Sequence, residues 1–484
     1  EAKRCEKSFV EAWHPTIEHY AYFANGNWET AALQTNMSIA VFCNNRQLFE
    51  ATVRYAVNGA GNGSIPHMIV YPTGQCQETT RAQHYAQLGL GLLGCAAEVA
   101  WNQGVDLYAW EGNRILKGFE YTAKYGLGED VPYQHYLDRT GKYGFGGRNN
   151  KYDKISTVSQ GSFWPIFERT YHHYSNRRGV PAPYSASVAE MKRPEGHSHD
   201  HVGLGTLVHW RPPQKASKPN KVPGVPAGLV ARSSVEGLRL KWVGSVDPVS
   251  CTDANSYIIQ RATRREGPYR TIATEIQESS FLDGTVKNGD LYYYTIQAAN
   301  DAGRSNPSAV LVANANLPGP WRSSDVGKAT IPGFTEYNGK QFTLEGEGHD
   351  IGGTSDEFHF AYAPFSGEGT MTARIIRPMS SQWTKPGVMM RESLDANSRH
   401  VSVLLQPHWS GAMVSRKKTG GVTTTQGESS LSEKHIIKKN RLSTPYWVRL
   451  IRFRNRFIGY MSPDGFDWQE LGSIEIPISR TFYV

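Results

Sequence analysis

Between Pro212 and Pro226 the hydrophobic pattern of this chain changes period, and that change limits the fold more than any other feature. Upstream, apolar residues recur at helical spacing; downstream they alternate, as in half-buried strands. The stretch between them reads Pro212-Pro-Gln-Lys-Ala-Ser-Lys-Pro-Asn-Lys-Val-Pro-Gly-Val-Pro, where proline removes backbone donors and no apolar period survives. The chain has 484 residues, beyond the roughly 250–300 that one hydrophobic core organises. The sequence therefore predicts a helical region over 1–212, a linker over 213–222, and two β-sandwiches over 223–317 and 318–484.

In the helical region, Ala31 to Val57 reads as one long periodic helix ended by Asn58-Gly-Ala-Gly-Asn-Gly. Further helices are predicted from Thr80 to Trp101, Asp106 to Tyr125 and Phe163 to Arg178, the last ended by Gly179-Val-Pro. Amphipathic helices joined by short polar loops stack as hairpins into an all-α layer, the way toroids are built.

The net charge of +8 favours a polyanionic partner, nucleic acid or acidic polysaccharide. The densest basic clusters, Arg261 to Arg265, Lys434 to Arg441 and Arg449 to Arg456, lie beside strand-like patterns and match no nucleic-acid motif, so nucleic acid is not the expected partner. No stretch approaches the ~20 apolar residues of a membrane span, so a soluble chain is expected. The first residues are helical in character and uncapped, and an upstream portion is expected to precede them. Five cysteines match neither a disulfide scaffold nor a zinc pattern, although one isolated bridge stays open. Asn36-Met-Ser and Asn62-Gly-Ser fit the glycan-acceptor pattern, which also occurs by chance.

The segment from Pro223 to about Leu317 resembles a fibronectin type III domain. The resemblance rests on Pro226-Ala-Gly-Leu, Trp242, Tyr257-Ile-Ile-Gln-Arg, Phe281-Leu-Asp and Tyr292-Tyr-Tyr-Thr-Ile-Gln-Ala-Ala-Asn. From Trp321 onward, Phe358-His-Phe-Ala-Tyr, Gly387-Val-Met-Met-Arg-Glu-Ser, Trp447-Val-Arg-Leu-Ile-Arg and the hairpin signal in Tyr460-Met-Ser-Pro-Asp-Gly-Phe-Asp-Trp resemble a concanavalin-like jelly roll. That family implies a closing strand beyond Thr481-Phe-Tyr-Val.

Polar residues of the helical region gather at helix ends: Asn25-Gly-Asn27-Trp28, Gln75 to Tyr85, Glu168 to Tyr174, and His197 to His201. Gly26-Asn27-Trp28, Gly74-Gln75 leading to Glu78 and Arg81, Gln87-Leu-Gly-Leu-Gly, Glu98-Val-Ala-Trp-Asn-Gln-Gly-Val-Asp-Leu-Tyr and Asp200-His-Val-Gly-Leu-Gly-Thr-Leu resemble the alginate-lyase-like superfamily of polysaccharide lyases. The resemblance covers about Trp13 to Trp210. It implies a complete or incomplete (α/α) toroid and β-elimination on a uronate polysaccharide of alginate or glucuronan type, outside the cell and without a cofactor. That chemistry needs a group to neutralise the uronate carboxylate, a base for the adjacent carbon-bound proton, and an acid for the leaving oxygen.

On this resemblance Asn27, Gln75, Glu78, Arg81 and Arg169 are the substrate-binding candidates, and His84, Tyr85, His173 and Tyr174 the proton carriers. Asn27 alternatively caps a helix, and Glu78 with Arg81 alternatively forms a surface ion pair. His197, His199 and His201 alternate along an extended segment and could share a divalent metal, but no metal is expected in so structural a stretch. The chain departs from the family pattern at Ala82, Tyr85, Gln160, Trp164 and Phe167, where ionisable groups or a tyrosine hydroxyl are implied. Two readings follow: an active lyase, or a catalytically inactive descendant with a carbohydrate-binding or structural role and a capacity to self-assemble.

Overall fold

The computed structural model describes residues 2–14, 17, 25–59, 61–135, 154–198, 200–214, 218–234, 236–287, 289–314, 317–328, 333–346, 348–376, 384–406, 410–426 and 445–484. The chain divides into two compact units, the first holding residues 1–285 and 292–312, the second 286–291 and 313–484.

The first unit begins with helices. They are α1 (Ala2–Ser8), α2 (Gly26–Phe42), α3 (Arg46–Asn58), α4 (Ile65–Met68), α5 (Gln83–Asn102), α6 (Trp110–Gly126), α7 (Phe167–Tyr171), α8 (Pro183–Lys192) and α9 (Gly205–Val208). The predicted helix over Ala31–Val57 is two helices. Asn44 sits in the left-handed region at φ 49, and the Asn45 side chain accepts the Leu48 amide at 3.0 Å, capping α3. The helix predicted from Phe163 also differs: α7 is short and runs on into a π-helical stretch, His172–Arg177. Both changes rotate the side chains that follow relative to an unbroken α-helix.

α5 is the centre of this layer, packed against α2 and α6. Its buried face carries Ala86, Leu90, Leu93, Ala97 and Trp101 in one core with Phe119, Phe167 and Tyr174. At about 1.5 Å per residue its twenty residues make a rod of roughly 30 Å.

Strands follow, in two main sheets. β1 (Ala227–Ser234), β2 (Gly237–Val243) and β5 (Ser280–Asp283) form one; β7 (Leu311–Asn314), β6 (Leu291–Asn300), β3 (Ser256–Ala262) and β4 (Arg270–Ile276) form the other. Trp242 is fully buried on β2, edge-on to Tyr257 of β3 with ring centres 5.1 Å apart.

This sandwich is built into the helical layer. Ala227, Val243 and Val246 belong to the helical core itself. Gly104 and Val246 bond through their backbones, as do Asp106 and Gly244. Gly228 (φ +66) brings β1 down on α3, and a Cβ there would meet Val53 at 3.1 Å and Val57 at 3.3 Å. Arg178 grips both Asp253 oxygens at 2.7 and 2.8 Å and the Cys251 carbonyl at 3.0 Å.

The proline-rich stretch is pinned at both ends. Gln214 donates its amide to the Asn176 carbonyl at 2.6 Å. The Asn220 and Lys221 amides donate to Asp247 at 2.9 and 3.0 Å, and Val249 and Ser250 donate to the same carboxylate. These donors hold Asp247 down at about 2, against the burial that opposes them. A depressed carboxyl stabilises the fold above its unfolded value and loses that contribution as pH falls toward 2. Asp247→Ala is therefore expected to cost about 2 kcal/mol at pH 7 and progressively less below pH 4, measured by urea denaturation. Equal cost at both pH values would contradict it.

In the second unit a six-stranded antiparallel sheet (364–366, 481–483, 387–391, 400–406, 410–416, 424–426) faces a four-stranded one (369–375, 446–453, 456–462, 469–475). Val388, Val401, Val403 and Met413 from the first meet Val448, Leu450, Phe457 and Ile474 from the second. The Thr481–Tyr483 segment, which the sequence left as an open end, is a strand inside the larger sheet.

Candidate active site along helix α5

The less buried side of α5 presents His84, Leu88, Cys95 and Glu98, successive members of one helical stripe. Buried Gln83 and Gln87 hold a neighbouring segment along that stripe. Gln83 Nε2 donates to the Thr79 and Ser156 carbonyls; Gln87 Nε2 donates to the Ser162 carbonyl and its Oε1 accepts the Trp164 amide. This sets Trp164 parallel to the His84 ring, with centres 6.1 Å apart. Ser159, strained at φ 63, puts its hydroxyl 3.2 Å from His84 Nδ1.

At the N-terminal end of the stripe, Glu78 is fully buried. It accepts the Asn27 amide N–H at 2.8 Å and the Asn27 side-chain amide at 3.0 Å, and pairs with Arg81. A carboxylate at the first turn of α2 suits the positive end of that helix. The Arg81 guanidinium lies 3.8 Å from the centre of the Tyr85 ring. Asn27, Glu78, Arg81 and Tyr85 thus come together, and Asn25 rather than Asn27 precedes the helix as its cap residue.

Further along, Arg169 reaches α5 from α7, donating to the Gly91 carbonyl at 2.7 Å and lying 3.0 Å from Cys95 Sγ. Among the described residues it has no carboxylate within ion-pair distance. Gly91 makes the room: a Cβ there would sit 2.4 Å from His201 Cε1 and 2.6 Å from Nε2. His201 is only 6 % exposed, and its Nε2 has no hydrogen-bond partner among the described residues. Arg169 and His201 thus both pack against one glycine, the first at its carbonyl and the second at its α-carbon.

Burial, reinforced by Arg169, pulls the His201 imidazole down to about 4. A lowered histidine is fully accommodated above its unfolded value near 6.5 and penalises the fold as pH drops toward 4. Relative to His201→Gln, the wild type is expected to lose about 3 kcal/mol more stability between pH 7 and pH 4. Parallel stability profiles would exclude a buried neutral His201.

The remaining candidates stand apart from this stripe. Gln75 is buried and clamps the Gln134 backbone, donating to its carbonyl and accepting its amide. Tyr174 donates to the Tyr108 carbonyl at 2.8 Å inside the core, and burial raises its hydroxyl well above the usual range. His173 stacks on Tyr108 with ring centres 3.7 Å apart. Its Nδ1 is 2.8 Å from Arg177, and burial, followed by the arginines around it, drives it well below the normal imidazole value. The π-helical turn points both side chains inward.

His199 lies outside the described residues; among the described residues no three His, Cys, Asp or Glu side chains converge to hold a metal ion. All five cysteines are free thiols. Asn36 and Asn62 are fully buried, so neither acceptor triplet is accessible to glycosylation in the folded chain. No described helix is long and apolar enough to cross a membrane.

Sequence reasoning placed His201 only in a metal trio and treated Trp164 only as a loss. For His201 the signal is Gly91, whose missing side chain leaves room for the imidazole; Gly94 does the same for Arg169, and Trp164 has no such local signal.

Residues 11–131 match the family model described as alginate lyase. No curated protein matches. Solved structures similar to parts of the chain include an Fn3-like protein from Clostridium thermocellum, at 34% identity over 19% of this chain and 90% of that one, TM-score 0.17. Others are the chicken CNTN1 FN1-FN3 domains, at 11% identity over 56% and 74%, TM-score 0.18, and the GH43 protein BlXynB mutant from Bacillus licheniformis, at 10% identity over 53% and 60%, TM-score 0.20.

Proposed function

We propose that the helical region is an (α/α)-toroid polysaccharide lyase that cleaves an acidic uronate polymer outside the cell by β-elimination. The fibronectin type III-like and concanavalin-like sandwiches would be its accessory modules. The observation that carries this reading is that Arg169 and His201 both pack against Gly91. In this reading Arg169 binds the uronate carboxylate and makes the neighbouring C–H acidic. His201 Nε2, held neutral, takes that proton. The electron pair forms the carbon–carbon double bond, the glycosidic C–O bond breaks, and the departing oxygen receives a proton from the His84 and Tyr85 end of the stripe. Asn27, Glu78 and Arg81 fix that end rigidly.

A second reading, of a binder that no longer turns over, is favoured by one fact: Asn27 and Arg81 are both already engaged by Glu78. One assay separates the two. Incubation with alginate and with glucuronan should raise the ultraviolet absorbance of the conjugated unsaturated uronate. A flat trace on both polymers, with binding retained in calorimetry, would replace the lyase by the binder.

A further inference from the structure

We infer that the outward face of the four-stranded sheet in the second unit is a separate binding surface for an acidic polysaccharide. It does not depend on turnover in the helical region. In this sheet the side chains of Tyr446, Val448 and Leu450 point into the sandwich, so Trp447 and Arg449 point out. Register places Arg374 opposite Trp447, and Arg449 opposite Tyr460. The Arg449 guanidinium lies 3.6 Å from the centre of the Trp468 ring, and Arg374 lies 5.9 Å from that of Trp447. Among the described residues neither arginine has a carboxylate within ion-pair distance. The Arg449 guanidinium thus lies over an aromatic ring, with its Nε donating to Thr372 Oγ1 at 3.1 Å, and Arg374 lies near a second ring; two cations without an ion-pair partner on one face fit an anionic ligand.

The turn at the edge of this face is rigid. Ser462 Oγ accepts the Gly465 amide at 2.8 Å, and Asp464 accepts the Phe466 and Asp467 amides at 2.8 and 2.9 Å. Trp468 Nε1 donates to the Gly465 carbonyl at 2.9 Å. On this locked turn Phe466 is 87 % exposed, the most exposed large apolar side chain among the described residues. A preorganised aromatic beside unpaired guanidinium groups suits a polymer of alternating character, with sugar faces to stack on the ring and carboxylates to bind the fork. A polyanion without sugar faces would use the arginines alone.

The test is affinity electrophoresis of the full chain in gels containing sodium alginate, poly-L-glutamate or neutral dextran. Alginate should retard the wild type and dextran should not. The double variant Arg374→Gln/Arg449→Gln should need at least about tenfold more alginate for equal retardation. Phe466→Ala, too exposed to disturb folding, should weaken retardation by alginate and leave that by poly-L-glutamate unchanged. Both variants should keep any elimination activity of the helical region, so failure here is distinct from failure of the lyase reading. The surface is overturned if both variants migrate as wild type. Its assignment to polysaccharide is overturned if poly-L-glutamate retards the chain as strongly as alginate at equal charge.

Discussion

Asp356→Asn is expected to destabilise the second unit by about 3–5 kcal/mol, a large share of the roughly 5–15 kcal/mol that holds a typical domain together. Asp356, Arg391, His400 and Arg416 are all completely buried. Arg416 grips both Asp356 oxygens at 2.7 and 2.8 Å, Arg391 lies 3.5 Å away and His400 Nε2 3.8 Å away. Two guanidinium groups share one carboxylate, and burial presses Arg391 down to about 10 while Asp356 resists. Removing the carboxylate leaves two buried cations facing each other, whose desolvation nothing then offsets. Urea denaturation of the full chain, following the transition of this unit, measures the loss. A change under about 1 kcal/mol would mean the charges are not desolvated. Arg416→Met added to Asp356→Asn should recover part of the loss, because it removes one stranded charge.

The second large effect concerns turnover. If Arg169 neutralises the uronate carboxylate, Arg169→Met should lower kcat/KM for elimination by about 100-fold or more, the usual consequence of deleting one preorganised charge-stabilising donor. Arg169→Lys should fall between, since an ammonium keeps the charge but loses the planar fork that also reaches Gly91 and Cys95. His201→Gln should lower kcat more than KM, because a base acts on the chemical step. Unchanged activity in both Arg169→Met and His201→Gln would remove the chemistry from the Gly91 side of α5.

The period change at Pro212 was legible because periodicity depends only on local order, and the strand signals beyond it, Trp242 and Trp447 among them, lie on strands of two sandwiches. Two features of the helical region were harder. The Asn44-Asn45 pair carried a turn and cap signal that a strong flanking apolar period masked. The π-helical stretch at His172–Arg177 is set by tertiary packing, and the turn of His173 and Tyr174 toward Tyr108 that goes with it has no signature in local spacing. The Asn27–Glu78 bonds join residues 51 apart in sequence, and the packing of Arg169 and His201 against Gly91 depends on that residue having no side chain. Nothing in local pattern encodes such contacts. The strings that signalled a lyase, such as Ala100-Trp-Asn-Gln-Gly-Val-Asp-Leu-Tyr, do so through packing instead of chemistry: Trp101 and Tyr108 are core residues.

The seam between the helical layer and its first sandwich bears on how such a chain can be rearranged. Modules joined by a free tether can be exchanged by recombination, since neither partner notices the loss of the other. Here Ala227, Val243 and Val246 complete the core of the helices, and Gly104 and Val246 stitch the two backbones together. A cut at the proline-rich stretch would open that core to water on one side and strand Arg178 on the other. The sandwich is a buttress, and the smallest heritable piece is the pair.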